Sequence, residues 1–303
     1  MPSIISTSGL GHAYGDLVAL RDIDLEIPEG NVGLVGANGA GKTTLIKILL
    51  GILDPTVGSV EVLGRKTTTE KLDIRSRVGY MPERPCLPLS QTAADFTDYA
   101  ARLAGIPARA ARQRASDILT LVGFQEERFR YISEYSTGMK QRAMLAQAIV
   151  HDPELVFLDE PTSGLDPEGR EEMLGLISRL GDFGINVLTS SHVLNDIERT
   201  CESVIVLDGG KVLRSGPLSE LKDSSTAGIE VLGDVDPLVR YLKDQNASVE
   251  INGRVIFVKH AAGDVFDLIR DALAETGTGM RSLGTRSTSI EDLFLEQSKE
   301  LAI

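Results

Sequence analysis

Gly36-Ala37-Asn38-Gly39-Ala40-Gly41-Lys42-Thr43-Thr44 lies between the apolar run Val32-Gly33-Leu34-Val35 and a stretch in which Leu45, Ile46, Ile48, Leu49 and Leu50 recur at helical spacing. The order is strand, glycine-rich loop, helix, which points to an α/β fold. In that setting the pattern G-x-x-x-x-G-K-[ST] binds phosphate. Glycines let successive backbone N–H groups turn inward, and the following helix aims the positive end of its dipole at the same point. Asn38, Gly39, Ala40, Gly41, Lys42, Thr43 and Thr44 are the expected contacts. Lys42 reaches the β and γ phosphates, and the Thr43 hydroxyl is offered to Mg²⁺, a cation that takes oxygen ligands and keeps several waters.

A chain of 303 residues has room for one large domain or a large and a small one, and a 42% hydrophobic content fits a globular protein. No apolar run approaches the roughly 18 residues a membrane helix needs, and the start MPSIISTSGLGHAYG lacks a basic region followed by an apolar core. The expectation is a soluble, cytoplasmic chain. A net charge of −13 disfavours broad attraction to DNA, RNA or anionic lipid, because such binding depends on Lys and Arg neutralising phosphates, so no nucleic-acid partner is expected. A local basic patch stays open. Cys86 and Cys201 lie far apart without CxxC spacing and the 4 histidines are scattered, so structural thiols are expected rather than a zinc framework.

Taken in order, residues 3–10 and 17–27 read as two strands with Tyr14 on the loop between them. An aromatic near a nucleotide site can stack on an adenine face; taken alone, Tyr14 reads as a packed surface aromatic. Asp54-Pro55 and Gly58 turn the chain into a strand at 59–63, and 75–81 leads to Pro82-Glu83-Arg84-Pro85-Cys86-Leu87-Pro88, where three prolines exclude regular helix. Two amphipathic helices are expected at 92–104 and 109–122. Tyr135-Ser136-Thr137-Gly138-Met139-Lys140-Gln141-Arg142 then opens a helix through Val150. Ser136 and Gly138 at its start can donate to an anion or simply cap it. Leu155-Val156-Phe157-Leu158-Asp159-Glu160 runs four apolar residues into two acids, as in a buried strand whose C-terminal end carries chemistry. Asp159 suits a Mg²⁺ role opposite Thr43, and Glu160 is placed to polarise a water attacking the γ phosphate. A helix at 168–180 and a strand at 185–188 follow, the latter ending in Thr189-Ser190-Ser191-His192. A lone histidine is usually structural; at the end of a neighbouring strand it can contact the γ phosphate and hold the attacking water. Residues 204–207 and 211–214 read as a closing hairpin.

With these segments in order, residues 3 to about 222 resemble the nucleotide-binding subunit of an ATP-binding cassette (ABC) transporter. GANGAGKT resembles the Walker A motif, VFLDE the Walker B, YSTGM the family signature, SGLD the D-loop, Ser191-His192 the switch region and Tyr14 the adenine-stacking aromatic. The resemblance implies a P-loop NTPase cassette over 1–222, with a RecA-like core, an antiparallel β subdomain and an α-helical subdomain at about 86–150. It implies ATP and Mg²⁺ as cofactors and Lys42, Glu160 and His192 as catalytic groups. Thr43, Asp159 and Glu83 would face the metal, and Tyr14, Ser136, Gly138 and Asp166 join the nucleotide contacts. It further implies a head-to-tail dimer, of two copies or with a second cassette, and an integral membrane permease docked between the helical subdomain and the Glu83 connector. The chain would thus be held on the inner face of the cell membrane. Two departures stand out: Thr137 and Met139 replace a glycine and the glutamine of the usual LSGGQ, as in single-cassette exporters of the drug-resistance and sodium-efflux branch, and Glu83 stands where the family has a glutamine.

Residues 223–303 lie outside the cassette. The pattern gives strand 227–232, helix 236–244, strands 247–251 and 254–259 joined by Asn252-Gly253, helix 263–274, a strand near 280–285 and a helix from Ser289. That order suggests a small α+β ferredoxin-like domain, read as a packing appendage; SIEDLFLEQ resembles the exporter-branch tail. The competing reading of the whole is a soluble mechanical ATPase acting on ribosomes or nucleic acid; a ligand-sensing role for 223–303 could coexist with transport.

Overall fold

A computed structural model describes residues 3–221, 226–259 and 265–285. By internal contacts the chain forms two units, Met1–Leu218 and Ser219–Ile303.

In the first unit, numbered along the chain, β1 (Ser3–Tyr14), β2 (Leu17–Pro28), β4 (Val57–Val62) and β5 (Arg65–Lys66) make an antiparallel sheet in the order β2-β1-β4-β5. Strands β3 (Asn31–Val35), β6 (Val78–Met81), β7 (Leu155–Asp159), β8 (Asn186–Ser191), β9 (Ser203–Asp208) and β10 (Lys211–Pro217) make the second, in the order β10-β9-β3-β8-β7-β6. All but β10 run parallel. The helices are α1 (Lys42–Leu49), α2 (Lys71–Arg77), α3 (Ala93–Leu103), α4 (Ala108–Leu121), α5 (Thr137–Ile149), α6 (Pro167–Leu180) and α7 (Leu194–Thr200), and α8 (Leu218–Leu221) begins at the last residue of the unit.

The apolar runs explain the layers. β7 is buried along its whole length, as a parallel strand covered on both faces must be. On one side Leu10, Leu20, Ile23, Leu34, Leu45, Ile46 and Leu49 fill the space between the two sheets around α1. On the other, Phe124, Leu119, Leu145, Ile149, Leu158 and Val187 join α3 to α6 against the parallel sheet. Each fully buried side chain of this size contributes about 1.5–3 kcal/mol. Helix starts follow their caps: Thr92 accepts from the Asp95 backbone N–H at 3.1 Å, Ser136 from Met139 at 3.3 Å and Asp166 from Gly169 at 3.2 Å. This is the parallel core, antiparallel subdomain and helical subdomain that the resemblance implied.

Several local expectations need correction. Tyr14 is not on a loop. Its backbone pairs with Leu17, so the hairpin is paired to its last residue and only Gly15 and Asp16 remain as the turn. Helices α2, α7 and α8 have no counterpart among the elements expected from the sequence. α2 buries only Ile74, too little to leave a periodic signal. α7 is just seven residues long. Of the two thiols, Cys86 is exposed, while Cys201 is partly buried and its thiol is pushed up to about 12, first by desolvation; the structural reading suits Cys201 alone.

In the second unit, β11 (Thr226–Leu232), α9 (Asp236–Asp244), β12 (Ser248–Asn252), β13 (Val255–Lys259), α10 (Val265–Thr276) and β14 (Gly279–Thr285) follow one another. The sheet order is β12-β13-β11-β14, antiparallel throughout, which is the expected ferredoxin-like arrangement. Ile229, Ile256 and Val258 point to one face, where Leu238, Leu242 and Ile269 of the two helices cover them. The helix expected from Ser289, and the first residues of that expected at 263–274, lie outside the described residues.

Candidate functional site

The loop after β3 is shaped by two positions where a side chain has no room. A Cβ on Gly36 would meet the Leu207 carbonyl oxygen at 2.3 Å, and one on Gly41 would meet Leu20 at 2.7 Å and the Ala19 oxygen at 2.9 Å, with Gly41 also at φ +107. Gly41 is the N-cap residue of α1 and supplies no side-chain cap. The first N–H groups of α1 are thus left available to an anion, with the helix dipole behind them. Lys42, 6% exposed, turns its ammonium back into the loop, donating to the Gly36 carbonyl at 2.7 Å and the Ala37 carbonyl at 3.3 Å.

The end of β7 faces this loop. The Lys42 ammonium lies 3.2 Å from Glu160 Oε1. Glu160 Oε2 in turn accepts from His192 Nδ1 at 2.8 Å. An ionised carboxylate only accepts, so the proton of this bond sits on His192 Nδ1. Glu160 is 7% exposed and the His192 side chain about half exposed, so the carboxylate is sandwiched between a buried cation and a solvent-facing ring. The Glu160 backbone sits at φ +51, a left-handed conformation that a residue with a Cβ adopts at a cost of about 1–3 kcal/mol. Its N–H is held by the Ser190 hydroxyl at 3.0 Å and the Ser190 carbonyl at 3.2 Å.

Asp159, almost fully buried, accepts from Thr43 Oγ1 at 2.9 Å and from the Ser190 hydroxyl at 2.6 Å. Thr43 and Asp159 thus offer hard oxygens at the mouth of α1, a donor set that suits Mg²⁺. Among the described residues no three His, Cys, Asp or Glu side chains cluster at metal-binding distance. A divalent ion here would take its remaining ligands from water and phosphate. Tyr80 on β6 lies within the field of Asp159 and Glu83; its phenol is pushed up to about 12, first by burial and then by those carboxylates, and stays neutral.

Tyr14, Asn38, Gly39, Gly41, Lys42, Thr43, Thr44, Glu83, Glu160 and His192 all line one cleft of about 460 Å³. Leu17 and Val18, exposed apolar residues at the start of β2, line it beside Tyr14, a residue 46% exposed whose ring packs edge-on against His12 at 4.7 Å. Ala40 is buried behind the loop, its carbonyl accepting from the Gly210 N–H at 3.1 Å. Ser136, Gly138 and Asp166 are not part of this cleft. They line a separate depression with Arg142, which is paired to Glu172 and lies 5.7 Å over the Phe124 ring. In the sequence Ser190 stands only as part of a strand end, with no role expected for it; its one signal is a hydroxyl residue two places before His192.

Comparison with known proteins follows the same lines. The profile described as "ABC transporter" matches residues 20–163. The chain is 35% identical to the ABC transporter ATP-binding protein YxlF of Bacillus subtilis over 302 residues, 97% of this chain and 99% of that one. It is 32% identical to the daunorubicin/doxorubicin resistance ATP-binding protein DrrA of Streptomyces peucetius, covering 96% and 91%. Among solved structures, the dimeric post-hydrolysis state of the ATP-binding cassette MJ0796 bound to ADP and Pi superposes with a TM-score of 0.65 at 25% identity, over 71% of this chain and 98% of that one.

Proposed function

The chain belongs to the family of ATP-binding subunits of ABC transporters, and from that premise we propose that it hydrolyses ATP to drive an integral membrane permease carried on a separate chain, exporting a substrate that the permease selects. The observation that carries this reading is the meeting of Lys42, Thr43, Glu160 and His192 in one cleft with Asp159 directly behind. Export is favoured by the YSTGM form of the signature and by the likeness to a drug-resistance subunit.

In this proposal Tyr14, with Leu17 and Val18, takes the adenine face, and the amides of residues 38–44 take the phosphates. Lys42 leaves the Gly36 and Ala37 carbonyls for the β and γ phosphates. Thr43 and Asp159 hold Mg²⁺, which when bound neutralises phosphate charge. Glu160 accepts a proton from the attacking water as its oxygen bonds to the γ phosphorus and the bond to the ADP oxygen breaks. His192 holds Glu160 through Nδ1–H. A second cassette, a copy of this chain or a different one, closes the cleft with its own Ser136, Gly138 and Asp166. Closure on ATP binding and reopening on product release then transmit motion to the permease. The permease docks at the groove between the helical subdomain and the Glu83 connector. That contact holds the chain on the inner face of the membrane, and residues 223–303 form an accessory domain.

The test is affinity purification of the tagged chain from detergent-solubilised host membranes with mass spectrometry of what stays bound. A stoichiometric multispanning protein is expected. Recovery with ribosomes, or with no partner, would favour the soluble mechanical ATPase. Glu83 places a second carboxylate at the cleft beside Glu160, at the position where the family resemblance implies a glutamine, so Glu83→Gln is expected to change the Mg²⁺ concentration needed for half-maximal hydrolysis or the coupling to transport more than ATP affinity. Unchanged Mg²⁺ titration and transport would remove Glu83 from the site.

A further inference from the structure

Asp196 is a buried carboxylate that the chemistry above leaves unused. It is 2% exposed and lies on α7, four residues after His192. Its Oδ2 accepts from the Thr162 hydroxyl at 2.7 Å. Its Oδ1 accepts from Arg170 Nε at 2.8 Å and Nη2 at 2.6 Å. A buried carboxylate persists only where such partners hold it, so the question is what these bonds join.

They join three segments around the catalytic pair. Thr162 lies two residues after Glu160, in a turn closed by Ser163 N–H to the Glu160 carbonyl at 3.1 Å and Leu165 N–H to the Thr162 carbonyl at 3.3 Å. Arg170 lies in the first turn of α6, and its N–H donates to the carbonyl of Asp166, the residue that caps the helix, at 2.9 Å. Asp196 itself rides on the helix that His192 leads into. Glu160 meanwhile sits at φ +51, a conformation that persists only when its surroundings over-determine it.

We propose that Asp196 is a positioning residue for hydrolysis. Through Thr162 and Arg170 it clamps the Glu160–Asp166 turn to the His192 helix. The clamp keeps Glu160 in its left-handed conformation and on its bond to His192, and fixes Asp166 on the surface that lines the second depression. The inference rests on the reading of Glu160 and His192 as the hydrolytic pair.

Thr162→Val removes one hydrogen bond at nearly constant shape and leaves the Arg170–Asp196 pair in place. In the full chain its kcat for ATP is expected to fall roughly 10- to 100-fold, the scale of a misplacement near 1 Å. KM and ATP affinity stay near those of the unaltered chain. Thr162→Ser, which restores the hydroxyl, is expected to restore kcat. Two results for Thr162→Val would overturn the proposal: kcat unchanged at temperatures well below the transition, with or without thermal destabilisation, or kcat and ATP affinity falling together. Failure of Ser to rescue would do the same. Glu160→Gln run alongside separates the two levels. If it turns over normally, the underlying pair is wrong; if it stalls while Thr162→Val turns over normally, only the clamp is wrong.

Discussion

Glu160→Gln is expected to lower ATP turnover about 10²- to 10⁴-fold, the usual contribution of a positioned general base, while leaving nucleotide binding intact. The amide preserves the shape of the side chain and one acceptor oxygen but cannot take a proton from water. Two donors face Glu160, the Lys42 ammonium at 3.2 Å and the His192 ring at 2.8 Å. Once phosphate draws Lys42 away, the remaining amide oxygen suffices for His192, so the loaded site should be well ordered but stalled. The variant should then accumulate as a closed dimer with ATP, visible as a shift in size-exclusion chromatography, and steady-state phosphate release should be close to background. Turnover near that of the unaltered chain would remove Glu160 from the role of base.

Lys42→Ala is expected to weaken ATP binding about 10- to 150-fold, because a hydrogen bond to a charged group contributes about 1.5–3 kcal/mol and each 1.4 kcal/mol is tenfold in affinity. AMP, which lacks the β and γ phosphates, should bind the variant and the unaltered chain alike. The same substitution also leaves Glu160, 7% exposed, without its cation, and an uncompensated buried charge is strongly destabilising. The thermal midpoint should therefore fall with Lys42→Ala and recover in Lys42→Ala/Glu160→Gln, whereas ATP affinity should recover in neither. Calorimetric titration with ATP and AMP on both variants separates the two effects. An ATP affinity that returns in the double variant would mean that Lys42 acts through Glu160 and not on phosphate.

Much of the fold was legible because its signals are local. Gly36 and Gly41 mark positions where a Cβ would strike the backbone of Leu207 and Ala19, and such positions announce themselves in a sequence. The buried run Leu155–Leu158 reads as a strand because covering both faces requires apolar residues at every position. Asn252-Gly253 marks the β12–β13 turn in the second unit for a similar reason. What went unread was short or lacked a periodic face: α2 with Ile74 as its only buried residue, α7 of seven residues, α8 of four residues, and the last pair of the β1–β2 ladder that carries Tyr14.

The sequence by itself determined the glycine-rich loop between β3 and α1, the acids at the end of β7, the histidine after β8 and the order of the longer elements, since each depends on neighbours a few residues away. Only the tertiary structure decided that these groups meet. β8 lies between β3 and β7, with Val35 opposite Ser191 and Asp159 opposite Ser190. That order and register set Ser190 on Asp159, His192 on Glu160 and Glu160 on Lys42, and they make Asp196 reach back to Thr162. Periodicity in a sequence reports which face of a strand or helix is buried. Which strand lies beside which is settled by packing all the helices on both faces of the sheet at once, and no local pattern records that choice.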